Sequence, residues 1–293
     1  MKRLLAALFC VTLSAAALAN DVEAVRKRAV GSMVVTGNIE VSPSGSVSRY
    51  DLDQSSKLPP AVVQLIGRSI SQWRFDPVLE GGKPAIATSK MSLRVIANPV
   101  AEGKYAISIA GADFGQGMAE SHVSTATDQI SEKSVPSPSY PPDLVAEHVT
   151  GTVYVLLLVN RAGTVENASA QQVNLRVAAS DREMAPFRKM FAVAATSALK
   201  HWTFNIPTTG KEAEKDYWLV RVPVSFNIVG DRTPGYGEWD VYVPGPLQTA
   251  PWIETLPKIT NEKLLSENVD STPPGGSLLS TGGLHLITNA SGT

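Results

Sequence analysis

The side chains in this 293-residue chain that could do chemistry are few and scattered. No two histidines have the three- or four-residue spacing that places two metal ligands on one helix face. These histidines are His122, His148, His201 and His285. His201 is expected to be a helix-end residue, where a cation suits the helix dipole. The sequence therefore predicts no metal site and no cofactor.

One short sequence, Ser197 to Lys200, matches the S-x-x-K nucleophile pattern of penicillin-recognising enzymes. The companion motifs S-D-N and K-T-G are missing, as are G-x-S-x-G and the phosphate-binding P-loop. The carboxylates of Asp51 and Asp53 lie near a predicted turn and are expected to be solvated. We therefore expect a protein without catalytic residues, and a Ser-x-x-Lys hydrolase is the remote alternative.

The first nineteen residues have the pattern of a secretory signal peptide. Lys2 and Arg3 give a positive start, an apolar run follows, and residues 17–19 read A-L-A, an A-x-A cleavage site. The run from residue 4 to residue 19 has sixteen residues, which is fewer than the ~20 needed to span a bilayer. We expect cleavage and a periplasmic protein. The alternative is an uncleaved helix that anchors the chain in the inner membrane, facing the periplasm.

Composition narrows the possible functions further. Without the leader, 24 basic residues face 27 acidic ones, a net charge of −3, so the chain has no basic excess with which to bind nucleic acid. Cys10, its only cysteine, lies in the leader. The processed chain then has no thiol for disulfides, Cys-ligated metals or nucleophilic catalysis. We expect a soluble protein of an extracytoplasmic compartment.

Two stretches of the chain repeat one order of elements: a predicted β-hairpin, a helix and a strand. The first hairpin has the strand T-G-N-I-E-V at 36–41 and a turn containing Gly45. The second has the strand T-G-T-V-Y-V at 150–155 and a turn containing Gly163. Each predicted helix runs into a Trp-x-Phe sequence, W-R-F-D-P at 73–77 and W-T-F-N-I-P at 202–207. The chain therefore contains a tandem duplication.

Helical spacing predicts one long helix in each copy. The first opens at Pro60, which suits a first helical turn. In the second copy Ser180 and Glu183 form a capping-box pattern, but Pro186 would break a hydrogen bond inside such a helix. We therefore predict that the second helix begins near Pro186, after an irregular turn. The apolar faces consist of Val62, Ile66, Ile70 and Trp73 in the first helix, and of Phe187, Phe191, Ala194, Ala198 and Leu199 in the second.

Alternating strands follow both helices. Met91, Leu93 and Val95 share one face in the first copy, which gains a fourth strand at 104–109. The predicted fold class is α+β: two small strand-strand-helix-strand domains, each a helix packed on an antiparallel sheet, plus an irregular C-terminal tail. The alternating residues of the second copy are Trp218, Val220, Val222, Val224, Phe226 and Ile228.

The predicted organisation has five parts. Residues 1–19 are the signal peptide, 20–115 the first domain, and 116–138 a linker rich in Ser, Thr and Pro. Residues 139–230 are the second domain, and 231–293 form a Gly/Pro-rich tail that is extended or partly disordered. Trp239, Tyr242 and Trp252 are candidates to hold the first part of the tail against a domain.

The second copy resembles the C-terminal domain of the TonB family, the energy transducers of Gram-negative envelopes. S-Y-P-P at 139–142, G-T-V-Y-V at 151–155, A-G-T-V at 162–165 and W-T-F-N-I-P at 202–207 follow the order of the family's motifs. Those motifs are a Tyr-Pro lead-in, a G-x-V-x-V strand, a D/N-G-x-V turn and Trp-Arg-Phe/Tyr-x-Pro. The first copy lacks the lead-in, and Thr203 stands where the family has Arg.

The family's membrane helix and Pro-rich rod are not recognisable in the sequence, so the resemblance implies a fold and a compartment rather than energy transduction. We interpret the Trp and Phe of each repeated sequence as core plugs where the helix ends. The structural signature consists of Trp73, Phe75, Pro77, Tyr140, Pro141, Gly151, Gly163, Trp202, Phe204 and Pro207.

In that family, a partner's short peptide adds as an extra strand to an exposed sheet edge. The corresponding strand here is 217–227. Pro223 favours an edge position because proline cannot donate to the ladder, although it would equally suit an edge blunted against aggregation. The candidate binding residues are Tyr217, Leu219, Arg221, Pro223, Ser225 and Asn227.

The resemblance thus implies a non-enzymatic module that binds an outer-membrane or periplasmic protein in envelope transport or maintenance. The alternative is a membrane-anchored, TonB-type energy transducer.

Overall fold

The computed structural model describes residues 23–80, 82–114, 130–209, 211–256, 284, 286–288 and 290. The predicted signal peptide, most of the predicted linker and the tail from 257 to 283 lie outside these ranges. The fold is α+β, as predicted, with two main antiparallel sheets that each carry a long helix. The helices are α1 (Pro60–Gln72), α2 (Pro142–Ala146) and α3 (Asp181–Leu199), and one helical turn lies at 23–26.

The strands of the first half of the chain are β1 (Val30–Val41), β2 (Val47–Leu52), β3 (Leu79–Glu80), β4 (Lys83–Pro84), β5 (Ala87–Ala101) and β6 (Lys104–Asp113). Those of the second half are β7 (Ser131–Ser134), β8 (Gly151–Asn160), β9 (Val165–Leu175), β10 (Thr203–Asn205), β11 (Tyr217–Phe226) and β12 (Asp240–Tyr242).

The first sheet has the order β12-β1-β5-β6, and β2 pairs with the second half of β1. Helix α1 begins at Pro60 and ends where Trp73 turns to an extended conformation. Its apolar face covers the sheet face formed by Met91, Leu93 and Val95, all of which are buried as the alternation predicts. Alternation and helical spacing were therefore sufficient to predict this layer.

The second sheet has the order β11-β8-β9, with α3 on the face that carries Val153, Val155 and Val220. The prediction that this helix begins near Pro186 is wrong, since it begins at Asp181. Ser180 and Glu183 form the complete capping box, with Ser180 N–H donating to the Glu183 carboxylate over 3.0 Å. Pro186 lies inside the helix on its exposed side, where water can bond the carbonyl that the proline leaves unpaired.

The tail and the N-terminal residues connect the two halves. The tail strand β12 pairs with Val30–Ser32 of β1, and the next residue, Val243, forms a bridge with Leu175 of β9. At the other end of the chain, Val25 is buried in the core of the second domain. The structure therefore differs from the predicted boundaries: residues 23–29 pack on the second domain, and residues 231–256 contact both domains. The linker prediction through residue 138 also differs, because β7 lies at 131–134 and pairs with β10.

The two main sheets meet on the faces that turn away from their helices. Arg94 lies between the core residues Leu93 and Val95, and Tyr154 lies between Val153 and Val155. Arg94 and Tyr154 line the same small cavity, of about 10 Å³, so these outer faces oppose each other. The layer order is therefore helix, sheet, sheet, helix.

Among the described residues, no helix combines the length and the apolarity needed to cross a membrane.

Candidate functional site

Strand β11 lies at an edge of the second sheet, and β8 is its one strand partner within the described ranges. The β8 pairing runs from Tyr217 opposite Asn160 to Phe226 opposite Gly151 without a shift of register. By contrast, the β8–β9 pairing on the other side has two irregularities. An unbroken edge of ten residues is long enough to accept another strand.

Pro223 determines which backbone groups of β11 point outward. It lies opposite Tyr154 in the β8 ladder, and it has no N–H to give to β8. In an antiparallel pair, residues alternate between positions that bond the partner strand and positions that face away from it. Pro223 therefore belongs to the outward-facing set, and the other members of this set are Tyr217, Leu219, Arg221 and Ser225.

The side chains of these residues were predicted to face a partner, but most of them are buried. They extend from the sheet face that turns away from α3, and Leu219, Arg221 and Pro223 are buried there. Tyr217 is half-buried, whereas Ser225 and Asn227 are exposed. A partner strand at this edge would therefore meet backbone groups in the centre of β11 and side chains only near its ends.

The tail supplies the cover over that face. Leu219 packs with Ala250, which is 1 % exposed, and Trp252 Nε1 donates to Ser169 Oγ over 2.8 Å. Arg221, fully buried, donates from Nε to the Gln171 side chain over 2.9 Å. The sequence contained a signal for this cover in the apolar residues of P-W-I-E-T-L at 251–256, which lacked a periodicity that would assign them to a helix or strand.

The opposite edge of the second sheet, β9, is covered by the tail. Val243 and Leu175 exchange two backbone hydrogen bonds, of 2.7 and 3.1 Å. Farther along, Gln248 N–H donates to Gln171 O over 2.8 Å. The Gln172 side chain donates to Gly245 O, also over 2.8 Å. The tail thus occupies the β9 edge, and within the described ranges β11 is the edge at which a partner could add.

Polar side chains fill the interface between the two sheets. Arg176 holds Asp240 with two hydrogen bonds of 2.8 Å, and Arg94 donates to Ser32 over 3.2 Å. The cavity among them has room for about one water molecule. It is lined by Arg94, Thr152, Tyr154, Asn174, Arg176, Asp240 and Tyr242. This volume is too small for a substrate, so we regard the interface as a structural polar layer.

The signature residues lie at the helix ends and hairpin turns. Trp73 and Phe75 are each 1 % exposed and meet Phe114 edge to face. Phe204 is buried, but Trp202 is only half-buried and donates from Nε1 to Pro136 O over 2.9 Å. Pro77 is exposed, and Pro207 is buried.

The remaining signature residues support the second hairpin and its lead-in. Tyr140 donates from its hydroxyl to Val149 O over 2.6 Å, and Pro141 caps α2. Burial raises the pKa of Tyr140, and Asp231 adds to this shift while Arg176 opposes it. A Cβ added to Gly151 would lie 2.4 Å from Asn174 O. Only glycine lets these two backbones approach so closely.

The side chains that could act in catalysis or metal binding do not come together. Ser197 and Lys200 are both exposed at the end of α3, and His148 and His201 are exposed as well. His122 and His285 lie outside the described residues. Asp51 accepts a hydrogen bond from Asn38, and Asp53 accepts one from Thr36. Across the ranges that the structure describes, no cluster of three metal-ligating side chains occurs.

Comparison of the chain with protein families, with curated proteins and with solved structures found no match.

Proposed function

We propose that this protein is a non-enzymatic binding module of the periplasm, which captures a partner's extended peptide as an additional strand on β11. The partner class is an outer-membrane or periplasmic protein. The observation that carries the proposal is the ten-residue edge of β11, which has one strand partner among the described residues and an unshifted register.

The outward-facing backbone groups of β11 supply the binding energy in this proposal. Leu219 and Ser225 each turn an N–H and a C=O away from β8, whereas Pro223 turns only a C=O. An added strand forms main-chain hydrogen bonds with such groups. Because Pro223 has no N–H, the partner's carbonyl at that position would receive no hydrogen bond from β11.

The first sheet supports the proposal because it already carries a strand on the corresponding edge. There β5 pairs with β1 on one side and with β6 on the other, from Ser92 to Ala101. When the two hairpin turns are aligned, Ser92 corresponds to Pro223. The strand β6 therefore lies on the side of β5 that corresponds to the outer edge of β11. It covers the part of β5 that corresponds to the second half of β11 and continues beyond it.

Selectivity in this proposal comes from the ends of the edge. The central side chains Leu219 and Arg221 are buried, Leu219 against Ala250 of the tail and Arg221 against Gln171, so they cannot select a sequence directly. Ser225 and Asn227 are exposed at one end, and Tyr217 is half-buried at the other. These side chains are the ones that a bound strand would contact.

The test introduces proline at an outward-facing position in the full chain. Ser225→Pro removes one outward N–H, while Ser225→Ala keeps it and removes the same hydroxyl. With a photo-crosslinker at Asn227, we expect a defined adduct in envelope preparations that persists in Ser225→Ala and is lost in Ser225→Pro. A crosslinker at Val193, which is exposed on α3, should not give this adduct. An equal adduct yield from both Ser225 variants, with circular dichroism unchanged, would overturn the proposal.

The compartment has a separate test. N-terminal sequencing of the protein from Gram-negative cells should give a chain that begins at Asn20. A chain that retains residues 1–19 would favour the membrane-anchored alternative instead.

A further inference from the structure

Each Trp-x-Phe segment is a short strand that bonds a hairpin turn on one side. Phe75 N–H donates to Gly45 O, and Phe204 N–H donates to Gly163 O, both over 2.8 Å. The neighbouring bridges are Ser46 to Arg74 in the first domain and Thr164 to Thr203 in the second. The two copies therefore use the same backbone arrangement.

The other side of each segment takes a strand from a different part of the chain. In the second domain this strand is β7, which is connected to β8 through 135–150. In the first domain it comes from the C-terminal end of the chain, where Leu286 forms an antiparallel bridge with Phe75. Ile287 N–H donates to Arg74 O over 2.7 Å, and Arg74 N–H donates to Thr288 Oγ1 over 3.1 Å.

The C-terminal segment also places apolar side chains in the first domain. Leu284 and Leu286 pack against the cluster that contains Trp73, Phe75 and Phe114. Leu284 N–H donates to Phe114 O over 2.8 Å. Ile287 points away and is 59 % exposed. The site therefore takes alternate apolar side chains in a Leu-x-Leu spacing and holds them by backbone hydrogen bonds.

We propose that the Trp73–Phe75 edge of the first domain is a strand-docking site that exchanges its occupant between copies of this chain. In one copy the occupant is the chain's own 284–288 segment. In a pair of copies each segment docks on the other's first domain, which gives a reciprocal dimer. Exchange of an identical element costs little because the contacts are the same in both states.

Two features favour exchange at this site. Among the described residues, the contact consists of one bridge and three hydrogen bonds. The connecting residues 257–283 could span roughly 90 Å if fully extended, which is far enough to reach a second molecule. This inference concerns the first domain, so it does not depend on strand addition at β11, and the two can fail separately.

Disulfide trapping tests the exchange in the processed protein, where introduced thiols are the only ones if the leader carrying Cys10 is removed. Arg74 and Ile287 lie opposite each other, and both are exposed. We would mix an Arg74→Cys chain with an Ile287→Cys chain, so that a disulfide between the two positions has to join two molecules. We expect a mixed dimer on a non-reducing gel, at a yield that rises with protein concentration.

The matched control is a mixture of Val193→Cys and Ile287→Cys chains. Val193 is exposed, and it belongs to α3 of the second domain rather than to the docking site. This mixture reports random collision. A yield from the Arg74/Ile287 mixture that is no higher than the control would overturn the exchange. The double variant in one chain should form the internal disulfide that locks the segment in place.

A labelled peptide of residues 282–290 provides the second measurement. We expect at least tenfold tighter binding to the Leu286→Asp variant, whose own segment is displaced, than to the unmodified chain. The oxidised double-cysteine variant should lose binding, and reduction should restore it. A peptide with aspartate in place of both leucines serves as the control. Equal affinity of the peptide for the unmodified chain, the Leu286→Asp variant and the oxidised double-cysteine variant would contradict a docking site. The absence of binding by a folded Leu286→Asp variant would contradict it as well. If that variant does not fold, the yield of the disulfide-trapped dimer decides.

Discussion

The Phe75 amide donates a 2.8 Å hydrogen bond to the Gly45 carbonyl, and this contact ties the end of helix α1 to the tip of the first hairpin. Gly45 has a φ of 80°, and a Cβ added there would lie 2.2 Å from Phe75 O. Gly163 and Phe204 repeat the arrangement, with a φ of 74° and the same 2.2 Å approach. The duplicated Trp-x-Phe sequence thus serves the backbone of its own hairpin as well as the core.

This contact predicts that Gly45→Ala is far more costly than Gly82→Ala at a turn without such a contact. Gly82 has a φ of 81° but nothing within 4 Å of an added Cβ. Gly82→Ala should therefore cost only the left-handed backbone penalty, about 1–2 kcal/mol. Gly45→Ala adds a backbone clash and should cost about 3 kcal/mol or more. Urea unfolding of the two variants measures the difference, and similar free energies of unfolding would show that the turn can move away from Phe75.

Periodicity was sufficient to predict the layers but not the parts that connect them. Met91, Leu93 and Val95 alternate with residues of the opposite face, so their burial follows from strand geometry. The start of α3 was mispredicted because Pro186 was given more weight than the Ser180 cap, although an exposed helix side tolerates the missing bond. The tail follows neither period, since its contacts with β9 and Leu219 are set by tertiary packing that no local pattern records.

The outward-facing residues of β11 show the same dependence on tertiary packing, which local sequence patterns do not record. Pro223 indicated an edge strand from sequence, and among the strands that the structure describes β11 lies at an edge. The burial of Leu219 could not be predicted, because it depends on residues 250–256 that lie far along the chain.

The two tryptophans should differ in their contribution to stability. Trp73 is 1 % exposed and meets Phe75 and Phe114 edge to face. Trp202 is half-buried, with its indole N–H bonded to Pro136 O. We expect Trp73→Ala to cost about 3–5 kcal/mol and Trp202→Ala about 1–3 kcal/mol, since less of its ring leaves contact. Chemical unfolding checks the order, and a larger loss for Trp202→Ala would contradict it.

The ion pair between Arg176 and Asp240 should hold the tail across the two sheets. Both side chains are about one-fifth exposed and share two hydrogen bonds of 2.8 Å. Asp240→Asn removes the charge and one of the two acceptor oxygens, and it should cost about 1–3 kcal/mol. It should also increase amide exchange at Val243, which is bonded to Leu175.

The matched control for Asp240 is Asp216, which meets Arg161 at 3.3 Å with 90 % of its side chain exposed. Asp216→Asn should change stability by less than about 0.5 kcal/mol. Equal effects of the two asparagine substitutions would mean that the Arg176 pair does not secure the tail.

The capping box of α3 should make the free energy of unfolding of the second domain depend on pH. Hydrogen bonds from the Ser180 side chain and backbone lower the pKa of Glu183 below its ordinary 4.5. Because the folded pKa is the lower one, the stabilisation is fully present above the unfolded value and is lost as the pH falls through the folded value.

Glu183→Gln tests this dependence because glutamine keeps an acceptor for the capping box but does not titrate. We expect the difference in unfolding free energy between the unmodified protein and Glu183→Gln to shrink as the pH falls from about 5 to about 3. Ser180→Ala removes the hydroxyl donor but keeps the backbone N–H, so it should raise the carboxyl pKa part of the way back towards 4.5, as an NMR titration of Glu183 would record. If the difference from Glu183→Gln stayed constant across this range, the ionised carboxylate would not be what stabilises the start of α3.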